Sequence, residues 1–79
     1  MLTQLEYADK VAGVKQTRRA LQDGRAKLLF LARDADPGLT EPLVLLAQER
    51  GVPVQWIDAM RDLGRACGIA VGAAVAAVI

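Results

Sequence analysis

Lys27-Leu28-Leu29-Phe30-Leu31-Ala32 opens on a charge and continues as an apolar run of strand length, which Arg33 closes. It does not alternate between polar and apolar. That pattern predicts a strand buried on both faces, as in a sheet covered by helices on each side. Asp34-Ala35-Asp36-Pro37-Gly38 then breaks the chain. Asp36 before Pro37 has the form of a helix N-cap followed by proline in the first turn. Leu39, Leu43, Leu46 and Ala47 repeat at helical spacing as far as Arg50, and Gly51 ends the helix. Val52-Pro53-Val54-Gln55-Trp56-Ile57 reads as a second strand. Strand, helix and strand within about thirty residues make a parallel crossover unit.

Asp58 is placed to cap a further helix through Arg61, Leu63 and Arg65, with Gly64 and Gly68 bracketing its end. The tail, residues 69–79, has no polar side chain. Its β-branched residues and strand-sized length predict a buried central strand. Towards the N-terminus, Thr3 to Ala12 reads as a short helix running into an extended segment. Val11-Ala12-Gly13-Val14 would be a short strand that stops at the glycine. Residues 15–23 form a helix with a narrow apolar stripe of Val14, Thr17, Ala20 and Leu21, stopped by Gly24. The expected fold is α/β: a three-layer sandwich with about four strands and at least one parallel pair.

Seventy-nine residues make a single domain with a thin margin of stability. The chain is 53% hydrophobic but only 4% aromatic, so its core is aliphatic. One cysteine, Cys67, excludes an internal disulfide. The lack of histidine excludes Cys/His zinc sites and histidine-based nucleophilic catalysis. The N-terminus lacks the form of a signal peptide. The apolar tail is too short to span a bilayer. These features predict a reduced, cytoplasmic protein.

Charge is distributed unevenly. Residues 10–33 hold seven basic residues against one acid, Asp23, for a net +6. The remainder is −5. Within the basic segment, Lys15, Arg18 and Arg19 share a helical face, with Gln16 beside them. A helix N-terminus carries partial positive charge and free N–H donors, and so favours acids. Cations there point to an external anion such as phosphate. Gln16 adds an amide able to pair with base edges. The implied partner is RNA.

Other groupings suggest other chemistry. Asp34-x-Asp36 after a strand is a place for a magnesium-dependent phosphoryl-transfer site, although the chain is short for one. Acids also punctuate such loops for structural reasons. Leu63-Gly64-Arg65-Ala66-Cys67-Gly68-Ile69 suits either a loop that approaches a ligand or a plain helix end. Cys67 reads as a small buried apolar group. Trp56 reads as strand packing or as a stacking surface. The acidic remainder leaves room for a protein-interaction module.

Together these stretches resemble a known family. They are Gly13-Val14-Lys15-Gln16-Thr17-Arg18-Arg19-Ala20-Leu21, residues 27–37, Gly51-Val52-Pro53-Val54 and residues 63–74. The resemblance is to the kink-turn RNA-binding family of archaeal and eukaryotic large-subunit ribosomal proteins, and to its short bacterial, YbxF-type members. It covers nearly the whole chain, and residues 63–74 are its most specific part.

The resemblance implies an α/β/α sandwich with a mixed four-stranded sheet. It implies a non-enzymatic RNA-binding protein, and the chain is expected to be a monomer without cofactor or metal. The expected RNA is a kink-turn with tandem sheared G·A pairs, in ribosomal RNA or a riboswitch. By position, Gly13, Lys15, Gln16 and Arg19 would meet the G·A pairs and nearby backbone, with Arg18 alongside. Arg33, Arg65, Ile69 and Val71 would flank the kink, the apolar pair resting against a flipped-out nucleotide. Many archaeal members have Asn-Glu in place of Lys15-Gln16, Lys in place of Arg19 and an acid in place of Ala70.

Overall fold

The structure is a computed structural model that describes residues 2–79. Its elements are α1 (Leu2–Tyr7), β1 (Lys10–Ala12), α2 (Val14–Gln22), β2 (Leu28–Ala32), α3 (Pro37–Glu49), β3 (Val54–Ile57), α4 (Met60–Ala66) and β4 (Val75–Val78). The strands form one mixed sheet in the order β1-β4-β2-β3. β2 and β3 are parallel, as the crossover unit predicted. β4 runs antiparallel to both of its neighbours.

Successive residues of a strand point to opposite faces, and β2 shows why its sequence is apolar throughout. Leu29 and Leu31 join Ala20 and Leu21 of α2 and Leu43 and Ala47 of α3 in one core. Phe30 and Ala32 join Leu5 of α1 and Leu63 and Ala66 of α4 in another. β4 divides in the same way, with Val75 and Ala77 on the first face and Ala76 and Val78 on the second. The result is the expected three-layer sandwich. Thr17, Ala20 and Leu21 of the α2 stripe are fully buried, and Val14 partly so.

Several expectations are corrected. Only residues 75–78 of the apolar tail are strand, and residues 69–74 form a loop. Leu39 lies exposed, and Thr40 takes the inward place on α3. Gly64 sits inside α4 rather than at its end. Asp58 does not cap that helix. The N-cap is Ala59, which offers no side-chain acceptor. The Met60 N–H donates instead to Oδ1 of Asp34, 26 residues earlier, at 2.8 Å. Asp58 lies 3.5 Å from Nε of Arg33.

Asp36 caps α3 as expected, accepting the Gly38 N–H at 2.9 Å. Both carboxylates of Asp34-x-Asp36 are therefore helix caps. Replacing Asp34 with Ala should cost about 1 kcal/mol, the usual value of an N-cap. In a chain of this size that lowers the melting temperature by about 4–8 °C. Replacing Asp58 with Ala removes only an exposed ion pair and should change it little. Thermal unfolding followed by circular dichroism compares the two, and equal losses would remove the assigned cap.

Candidate nucleic-acid interface

Gly13 turns the chain from β1 into α2 with φ 96° and ψ 157°, a backbone conformation that side chains rarely allow. Its N–H donates to the Val75 carbonyl at 3.0 Å, which ties the helix entry to the start of β4. The first intrahelical bond runs from the Thr17 N–H to the Gly13 carbonyl at 3.0 Å. The N–H groups of Val14, Lys15 and Gln16 come before it. No side chain among the described residues caps this end, and its first turn holds no acid.

Lys15, Gln16, Arg18 and Arg19 are all exposed. Among the described residues, no carboxylate forms an ion pair with Lys15, Arg18 or Arg19. The basic segment's pairs are Arg25–Asp23 at 3.4 Å and Arg33–Asp58 at 3.5 Å. Of the three cations, Lys15 is the one that the helix dipole opposes. Arg19 already lies in the last turn of this nine-residue helix, where the dipole favours it.

Loop 67–74 folds back along α4 and is held at both ends. The Ile69 N–H donates to the Gly64 carbonyl at 3.1 Å, and the Ala73 N–H to the Met60 carbonyl at 3.0 Å. Gly64 makes this approach possible. A Cβ there would run into the Val71 carbonyl and come within 3.0 Å of the Gly72 Cα. The fixed loop presents apolar side chains to solvent: Ile69 is 40% exposed and Val71 70%. Arg65 is exposed in the last turn of α4. Cys67 follows, half-buried, and burial pushes its thiol pKa up against a smaller lowering effect of Lys10.

The strand directions bring these parts to one rim of the sheet. β1, β2 and β3 end there, and β4 begins there. The Ala32 N–H donates to the Ala74 carbonyl at 2.9 Å, and the Arg33 N–H to the Ile57 carbonyl at 2.7 Å. The rim therefore collects Gly13, Lys15 and Gln16 at the start of α2, Arg33 after β2, and the returning end of loop 67–74, with Val71 leading into it and Ile69 beside the end of α4. Arg18 and Arg19 continue along α2, and Arg65 lies towards the far end of α4. Arg33 is engaged within the chain, with its guanidinium 5.9 Å from the centre of the Trp56 ring. Sequence alone does not pair these two residues, because nothing local links positions 33 and 56. Among the described residues, no three potential metal-ligating side chains cluster, and no helix is long and apolar enough to cross a membrane.

Residues 3–79 match the ribosomal protein L7Ae/L30e/S12e/Gadd45 family. The chain belongs to that family. The resemblance drawn from the sequence is thus borne out, including its short bacterial branch. An RNA-binding protein YbxF of Geobacillus stearothermophilus is 46% identical over 75 residues, covering 95% of this chain and 92% of that protein. An RNA-binding protein of Bacillus pumilus is 48% identical over 69 residues, covering 87% of this chain and 84% of its own. Among solved structures, the Giardia lamblia 15.5kD RNA binding protein superposes with a TM-score of 0.90 at 30% identity, over 98% of this chain and 68% of that one.

Gly64 gives a direct test of the loop anchor. On helix propensity alone, Gly64→Ala should stabilise α4 by up to about 1 kcal/mol. Collision with the Val71 carbonyl should reverse the sign, for a net loss of about 1–3 kcal/mol. The urea midpoint measures this, and a more stable variant would contradict the close approach.

Proposed function

We propose that this protein acts as a single RNA-binding domain, without catalysis, and recognises a kinked RNA helix with tandem sheared G·A pairs. The observation that carries this reading is an uncapped cationic helix start on the rim to which a fixed loop with exposed Ile69 and Val71 returns. A straight A-form helix hides its base edges in a deep, narrow major groove. A kink opens them and extrudes bases. The rim suits both consequences. Phosphate oxygens meet the leading N–H groups of α2 and the Lys15 ammonium. The Gln16 amide, with a donor and an acceptor, reaches purine edges. Gly13 lets the RNA come close to the backbone at the turn. Arg18 and Arg19 extend the cationic track along α2, while Arg33 and Arg65 contact backbone on either side. Ile69 and Val71 cover the face of an unstacked base. The names of the similar RNA-binding proteins of Geobacillus stearothermophilus, Bacillus pumilus and Giardia lamblia support the class of partner.

A kink-turn duplex and a fully paired duplex of equal length separate shape from charge. The kinked RNA should bind roughly tenfold or more tightly at moderate salt, a difference of about 1.4 kcal/mol or more. Equal affinity, measured by filter binding or calorimetry, would remove shape recognition. The charge contribution is tested separately. Lys15→Ala and Arg19→Ala should each weaken binding and lower the log–log salt slope by about 0.7–0.9 for every phosphate left without its cation. Arg50→Ala, at the opposite end of α3, should leave the slope unchanged.

A further inference from the structure

Beside the rim lies an open groove of about 420 Å³ between α3 and β3. Its volume falls in the range of about 300–1,000 Å³ typical of small-molecule sites. Arg33, Thr40, Glu41, Val44, Leu45 and Trp56 line it. Its walls are mostly apolar, yet Trp56 is 37% exposed and Leu45 62%. β3 is an edge strand, so no further strand covers the indole. The guanidinium of Arg33 stands 5.9 Å from the ring centre, at the outer limit of about 6 Å for a cation–π contact. The ring is therefore not tightly capped.

We infer that this groove takes one unpaired nucleotide of the bound RNA, next to the kinked duplex. This rests on the RNA-binding reading and extends it beyond the α2 and loop 67–74 contacts. The charges and surfaces fit a nucleotide part by part. The indole of Trp56, with Val44 and Leu45, offers a flat apolar bed for a base. Arg33 supplies a planar cation for its phosphate. Glu41 gives an acceptor for the amine or imide protons of a base edge. The backbone N–H of Arg33 is bound to the Ile57 carbonyl, so the groove's cationic end lies on the same rim as Lys15 and Val71.

Trp56 is the single tryptophan, so its emission reports on the groove alone. The test compares a kink-turn duplex with the same duplex carrying a three-nucleotide unpaired tail, placed on each end in turn. A tail on one end should tighten binding by about 5- to 150-fold, the range for one stacked base. It should also quench Trp56 beyond the level of the untailed duplex. Trp56→Leu and, as a surface substitution that spares the fold, Leu45→Glu should each abolish the tail's gain and leave untailed binding as it was. If no tail changes either affinity or emission while the untailed duplex still binds, the nucleotide assignment is overturned and the groove belongs to another kind of partner. If neither RNA binds, the RNA-binding reading itself falls.

Discussion

The structure depends on the hydrogen bonding of β4. This strand is fully buried and is paired on both sides, so its backbone groups are committed to β1 and β2. Its beginning does more than extend the ladder. The Val75 carbonyl accepts from Gly13, and the Ala74 carbonyl from Ala32. Two adjacent peptide groups thereby fix where α2 starts and where β2 ends, relative to the loop that leads into β4. The buried alanines Ala76 and Ala77 fit a strand that must accept a helical layer on each face. Moving β4 by one residue would exchange its two faces and pull the rim apart.

The rim's electrostatics follow from what its own acids do. Asp34 and Asp36 accept backbone N–H groups at the starts of α4 and α3, and Asp58 faces Arg33. These acids sit on the rim but none is turned towards Lys15. The start of α2, by contrast, has neither a capping side chain nor an acid in its first turn. Two of the three helices that begin on this rim are thus closed by carboxylates, and the third is left open with a lysine beside it. Random surface charge would not be expected to divide in this way.

Local patterns made most of the architecture legible. β2 could be read because five adjacent positions, 28–32, are apolar and lie between Lys27 and Arg33, and Asp36-Pro37 marked the start of α3 without ambiguity. The helix even continues through Pro42, where buried Thr40, Leu43 and Ala47 outweigh the missing backbone bond. The errors arose where the deciding contact is distant in sequence. Asp58 looked like a cap because it precedes α4, but the acceptor comes from position 34. Residues 69–74 looked like strand because hydropathy does not tell buried from exposed apolar side chains, and Ile69 and Val71 are the exposed kind. Trp56 could be placed on a strand but not beside Arg33.

The same features define a cost that the folded chain carries. Open N–H groups at α2, solvent-facing Ile69 and Val71, and a half-exposed indole each forgo stabilisation that a simpler sequence would keep. Beneath α2, the buried Thr17 Oγ1 has no hydrogen-bond partner among the described residues either, and an orphaned buried polar group costs about 1–3 kcal/mol. A chain of this length has few kilocalories to lose. The first three costs lie on or beside one rim, where one ligand could relieve them together: anionic oxygens for the N–H groups, and base faces for the apolar side chains. Thr17 is different. It faces the core, so no ligand on the rim reaches it, and its cost belongs to the packing of α2 rather than to the proposed site.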